Sequence, residues 1–189
     1  MHIGLFGGSF NPPHLGHMLA LKFSLETGGF DRIYMLPCGR HAFDKSLVAF
    51  EHRRKMCELA CEEVKDRVEV LGVENEFPGV SYTIDTVRHL QGENPYDEFT
   101  LIVGSDLRAE LDRWKEIEEL RRRVDFFFLP RPTAKSGEKP STRGSSVQLI
   151  DVSSSEVRER FARGQDCAGV VSAGVLEYIR SHGLYQAKR

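Results

Sequence analysis

Short apolar runs alternate along the chain with stretches in which apolar residues recur at helical spacing. His2–Phe6, Arg32–Leu36, Val68–Val73, Phe99–Val103 and Asp125–Leu129 read as strands bounded by Gly, Pro or polar residues. Leu15 to Leu25 reads as a helix with Leu15, Met18, Leu19 and Phe23 on one face, stopped by Gly28-Gly29. In Phe50–Val64, Cys57, Ala60, Cys61 and Val64 recur at i, i+3, i+4 and i+7, which predicts a second helix. Thr83–Gln91 is a short helix ended by Gly92, and Leu107–Arg122 is mostly helical. Phe126, Phe127 and Phe128 are too apolar for an exposed sheet edge. Val147–Val152 is a late strand, followed by terminal helices over Ser154–Arg163 and Val175–His182. Val175, Tyr178 and Ile179 dock the last helix on the body, with Ser172 as its cap. Strands and helices in alternation predict an α/β fold: a doubly wound, Rossmann-like parallel sheet with C-terminal helices. In such folds ligands bind beyond the carboxyl ends of the strands.

Composition narrows the function classes. The 189 residues suit a single domain over 1–189, and 40% hydrophobic with 29% charged residues excludes dominant disorder. A net charge of −2 argues against bulk capture of nucleic acid or an anionic membrane, but leaves room for a local basic pocket. Four cysteines are too few and scattered for a disulfide scaffold. Cys57 and Cys61 read as small apolar packing, since no Cys/His set completes a metal pattern. With no membrane-length apolar stretch and no signal-like N-terminus, the expected compartment is the cytoplasm. Residues 131–146 are rich in Ser, Pro, Gly and Lys and carry Arg131, Lys135, Lys139 and Arg143 against Glu138. They read as a mobile loop, either simply solvated or closing over an anionic substrate.

The most informative segment is Gly7–His17, GGSFNPPHLGH, which leaves a strand and opens a helix. Gly7 and Gly8 let backbone N–H groups approach a bound group closely. The helix start near Leu15 offers unsatisfied N–H donors and a positive dipole end. His14 and His17, three residues apart, can turn both rings toward one point above the sheet. Two imidazoles beside a helix N-terminus suit a phosphate, because N–H donors neutralise charge developing on phosphorus. The chain has no Gly-x4-Gly-Lys-Ser/Thr loop, and no Gly-x-Gly-x-x-Gly follows the first strand. Ser153–Ser155 and Arg158 form either a helix cap or a second anion site. Gly104-Ser105-Asp106 enters a helix, where Asp106 is either an N-cap or an acceptor for sugar hydroxyls. Trp114, the single tryptophan, stands among Asp112, Arg113, Lys115 and Glu116, either as packing or as a stacking face.

Together these segments resemble the nucleotidyltransferase superfamily with the HxGH signature, and within it the bacterial nicotinate-nucleotide adenylyltransferases. The resemblance spans essentially the whole chain. It rests on GGSFNPPHLGH, on Ser81-Tyr82-Thr83-Ile84-Asp85-Thr86, and on Gly104-Ser105-Asp106 with Leu111 and Trp114. Two further motifs are Val152-Ser153-Ser154-Ser155-Glu156-Val157-Arg158 and the ending Tyr178-Ile179 with Gly183-Leu184-Tyr185. The resemblance implies adenylyl transfer from ATP to nicotinate mononucleotide, giving deamido-NAD and pyrophosphate in NAD biosynthesis, with Mg²⁺ carried by the ATP and no metal ligands from the protein. His14, His17 and Arg158 are then catalytic. Gly7, Gly8, Ser9, Phe10, Gly104, Asp106, Ser153, Ser154 and Ser155 bind ATP. Thr83, Trp114, Lys45 and Arg40 bind the mononucleotide. The family's usual Pro-Pro-His-Lys stretch is replaced here by Cys38-Gly39-Arg40-His41-Ala42-Phe43-Asp44-Lys45. Alternatives remain open: nicotinamide mononucleotide as acceptor, since the FNP triplet is shared with such relatives; a phosphopantetheine transferase; or a non-catalytic nucleotide-binding module.

Overall fold

The computed structural model describes residues 1–39, 47–130 and 152–187. The expected loop at 131–146, the residues Arg40 and Lys45, and all of the expected strand at 147–152 except Val152 lie outside them.

Five strands form the sheet: β1 (His2–Gly8), β2 (Arg32–Pro37), β3 (Val68–Val70), β4 (Glu98–Gly104) and β5 (Asp125–Leu129). Their order is β3-β2-β1-β4-β5, with every pair parallel. Six helices accompany them among the described residues: α1 (Leu15–Thr27), α2 (Phe50–Ala60), α3 (Thr83–Glu93), α4 (Ile117–Arg123), α5 (Ser154–Ala162) and α6 (Ala173–Ser181). No helix of the described residues is long and apolar enough to cross a membrane.

Successive strand residues face opposite sides, so one sheet yields two cores. Ile3, Leu5, Tyr34, Leu36, Leu101 and Val103 pack with residues of α3 and α4. Phe6, Ile33, Met35 and Ile102 pack with residues of α1 and α2. A third cluster joins Met56 of α2 to Val157 of α5 and Val175 and Ile179 of α6. Each such fully buried aliphatic side chain contributes about 1.5–3 kcal/mol, so the C-terminal helices are docked on α2. Ser172 caps α6 by accepting from the Val175 N–H.

Four local expectations change. α1 buries Met18, Ala20, Leu21, Ser24 and Leu25, while Leu15, Leu19 and Phe23 are only half-buried. The apolar residues go nearly all round this helix, so its inward face is set by the sheet beneath it. β3 is only three residues long, because the chain turns into a 3-10 turn at Val73–Asn75. The stretch expected as one helix from Leu107 breaks into 3-10 turns at Ser105–Ala109 and Leu111–Arg113 before α4. The break lies at Glu116, whose φ of 51° is left-handed. Finally, β5 ends the sheet among the described residues, with Phe126, Phe127 and Phe128 half-buried. Phe127 is shielded by Phe23 and Phe30, and the Arg108 guanidinium lies 4.0 Å from the Phe128 ring centre.

Candidate active site

The strand order reverses between β1 and β4, and a cleft of about 770 Å³ opens above their carboxyl ends. Gly7 and Gly8 end β1 in its wall, and Val103 and Gly104 end β4 there. Three helices begin at the same cleft. His14 and His17 flank the start of α1, Tyr82 and Thr83 open α3, and Ser153 and Ser154 open α5. Three positive dipole ends and their N–H groups thus converge on one space, an arrangement that favours anions.

The two histidine rings lie 3.7 Å apart, tilted by 32°. His17 Nδ1 accepts the His14 backbone N–H at 3.2 Å, so a neutral His17 carries its proton on Nε2. Phe10 meets the His17 ring edge-on at 5.0 Å and has no exposed surface. Its side chain therefore sits behind the cleft, propping His17. A Cβ at Gly8 would come within 2.9 Å of that ring, whereas Gly7 has open space around it. Gly8 is thus fixed by the packing of Phe10, and Gly7 leaves room for a ligand.

The turn after β1 is tied down from several directions. Asn11 is fully buried; its Oδ1 accepts from Tyr185 Oη at 2.8 Å and from the Val48 N–H at 3.3 Å. The Pro12 carbonyl accepts from Ser154 Oγ at 2.9 Å, and the Asn11 carbonyl from Arg158 Nη1 at 2.9 Å. Arg158 Nη2 also donates to Ser155 Oγ at 3.1 Å. Ser153 accepts from the Glu156 N–H at 3.1 Å, so it is a helix cap. All three serine hydroxyls of this turn bond within the protein, which leaves the backbone donors of α5 to face the cleft.

Gly104 and Leu107 line the cleft, while Asp106 is exposed in the turn that follows β4. Thr83 and half-buried Trp114 both reach the wall, with Arg113 and Lys115 beside the indole. Cys57 and Cys61 are buried as expected, and burial pushes the Cys61 thiol up to about 12. No three His, Cys, Asp or Glu side chains among the described residues gather where they could hold a metal ion.

Sequence reasoning missed two residues here. Arg53 is only 2% exposed. Its Nη1 donates to the Ser9 carbonyl at 3.0 Å, Nη2 to Gly39 at 3.2 Å and Nε to Val48 at 3.1 Å. Glu74 faces the cleft and accepts from the Ser81 hydroxyl at 2.8 Å, the Thr86 hydroxyl at 3.3 Å and the Gly39 N–H at 3.4 Å. Burial raises its carboxyl above the ordinary range against these hydrogen bonds. The only local signal for Arg53 was a cation on the buried side of the α2 pattern. For Glu74 there was none.

Comparison with known proteins places the chain in a family. The sequence profile of the cytidylyltransferase-like family matches residues 5–160. A protein of Anaeromyxobacter dehalogenans, named "probable nicotinate-nucleotide adenylyltransferase", is 38% identical, the match covering 97% of this chain and 96% of that one. A Myxococcus xanthus protein of the same name is 35% identical over 100% of this chain and 97% of its own. In fold, the chain superposes on Plasmodium falciparum nicotinic acid mononucleotide adenylyltransferase complexed with NaAD. The TM-score is 0.75 at 21% identity, with 97% of each chain covered. The same sheet, the same full-length reach and a match from β1 to α5 leave one conclusion: the chain belongs to the cytidylyltransferase-like family, among the nicotinate-nucleotide adenylyltransferases.

Proposed function

We propose that this chain transfers the adenylyl group of MgATP to nicotinate mononucleotide, forming deamido-NAD and pyrophosphate. One observation carries the reading: the amino ends of α1, α3 and α5 and the rings of His14 and His17 all open onto one cleft at the sheet's reversal point. The name shared by the full-length relatives supports the choice of acceptor.

An oxygen of the mononucleotide phosphate attacks the α-phosphorus in line. The new O–P bond forms as the bond from the α-phosphorus to the bridging oxygen breaks, and pyrophosphate leaves with that electron pair. The attacking phosphate is already ionised, so no protein nucleophile is needed. Catalysis is positioning plus charge stabilisation. His17 donates from Nε2, and His14 beside it holds the neighbouring phosphate. Backbone donors of Gly7, Gly8 and Ser9 approach the same group. The first turn of α5 and the remaining donors of Arg158 receive the departing pyrophosphate. Asp106 accepts from the sugar hydroxyls. Thr83, at the amino end of α3, offers N–H donors to the pyridine carboxylate, and Trp114 gives the ring a stacking face. Backbone donors with no opposing acceptor favour a carboxylate over a carboxamide. Arg40 and Lys45 remain candidates for the mononucleotide phosphate. Mg²⁺ would enter as part of the MgATP substrate and offset the charge of the triphosphate.

The test is pyrophosphate release from ATP with each mononucleotide in turn. The nicotinate form should be the preferred acceptor, and His17→Ala should lower kcat about a hundredfold with the fold intact. A near-wild-type rate in that variant removes the histidine role. Equal turnover of both mononucleotides removes the assignment of the base.

A further inference from the structure

Trp114 stands where local structure gives it little support. It is extended, with φ −73° and ψ 142°, and follows the 3-10 turn Leu111–Arg113. Two residues later Glu116 adopts a left-handed conformation, which a non-glycine residue keeps only when its surroundings impose it. Those surroundings are the side chains of α3. Lys115 Nζ pairs with Asp85 Oδ2 at 3.0 Å and lies 4.4 Å from the Tyr82 ring centre. Arg88 Nη2 meets Glu116 Oε2 at 2.5 Å and Glu119 Oε2 at 2.5 Å. Arg88 Nε adds a bond to Glu119 Oε1 at 3.1 Å, and Nη1 reaches Asp85 Oδ1 at 3.4 Å. The partners on either side of the left-handed turn are thus held by one guanidinium. The same helix begins with Thr83, across the cleft wall from the indole.

We propose that Arg88 is a positioning residue for the mononucleotide base. By gripping Glu116 and Glu119 together it fixes the spacing between Trp114 and the amino end of α3. The inference rests on the reading above, in which the pyridine stacks on Trp114. An isolated exposed ion pair does little, but here one planar fork joins three carboxylates on two segments. Lysine, a single point charge, cannot reproduce that fork. The fold does not depend on it. α4 keeps its buried Ile117 and Leu120. Gln91 also exchanges two hydrogen bonds with Arg123, at 3.0 and 2.9 Å. Removing Arg88 frees Glu116 and Glu119 from α3, while Lys115 keeps its pair with Asp85.

Because Trp114 is the single tryptophan, its fluorescence reports this position directly in the full-length protein. Nicotinate mononucleotide should quench the wild-type emission. In Arg88→Ala the Kd from that quenching and the KM for the mononucleotide should rise about tenfold. The KM for ATP and the melting temperature should stay near wild type, and Trp114 should become more accessible to acrylamide. Arg88→Lys should follow the alanine variant, and Glu116→Gln should shift in the same direction should either Arg88 variant fold poorly. Wild-type quenching together with unaltered mononucleotide binding in the Arg88 variants overturns the inference alone. An equal rise in both KM values also overturns it, since that marks general loosening. A wild-type emission indifferent to the mononucleotide overturns the stacking reading and the inference together.

Discussion

Arg53→Met tests how the turn before His14 is held. Methionine follows the aliphatic stem of arginine but donates nothing. The carbonyls of Ser9, Gly39 and Val48 then lose their partner at once. Leaving a buried acceptor unsatisfied costs about 1–3 kcal/mol. Gly39 is buried and bears that cost in full, whereas half-buried Ser9 and Val48 can recruit water. Against this, the variant no longer has to bury a guanidinium. The balance is a loss of about 1–2 kcal/mol, read as a lower urea midpoint at unchanged slope. Ser9 belongs to the turn that precedes His14, so its release should also displace the imidazoles. Misplacement of about 1 Å costs on the order of a hundredfold in rate, so kcat should fall even in the fraction that remains folded. Arg53→Lys keeps the charge and should recover part of the stability but less of the rate. A midpoint and a kcat both indistinguishable from wild type in Arg53→Met would refute the claim that this guanidinium organises the turn.

Two further outcomes follow from burial. A thiol reagent at neutral pH should label Cys38 first, since it is half-exposed on the cleft wall, and bound mononucleotide should slow that labelling. Cys57, Cys61 and Cys167 should react only on unfolding, followed by mass spectrometry across a urea series. Burial holds the Cys61 thiol at about 12, above its ordinary value of 9.0. Its contribution to stability is therefore complete below pH 9 and declines as pH rises toward 12, so the urea midpoint should fall over that alkaline range. Tyr185→Phe removes the donor to buried Asn11 Oδ1 while leaving the Val48 N–H in place. It should cost about 1 kcal/mol by chemical denaturation and lower kcat several-fold, with an unchanged kcat showing that the C-terminal segment does not brace the turn.

The elements were legible where the signal is local. A run of Val, Ile and Leu makes a parallel strand wherever the sheet runs, and Gly7-Gly8 before a helix with His14 and His17 marks a strand-to-helix turn with converging N–H donors. The capping serines at positions 153 and 172 were equally local, because a cap bonds three residues ahead. Elsewhere the local signal pointed two ways and the tertiary structure decided. The inward face of α1, the break at Glu116 and the burial of Phe10 depend on which sheet face each segment meets. The roles of Arg53 and Glu74 were unreadable for the same reason. Their partners come from residues 9, 39, 48, 81 and 86, brought together only by the sheet order. The sequence by itself determined most of the strands and helices and the glycine-rich turn between β1 and α1, because those are set by bonds and contacts a few residues long. Which distant carbonyl a buried guanidinium meets, and which helix steadies the indole, was decided by packing across the whole chain, since hydrogen-bond acceptors on a backbone carry no sequence mark of their own.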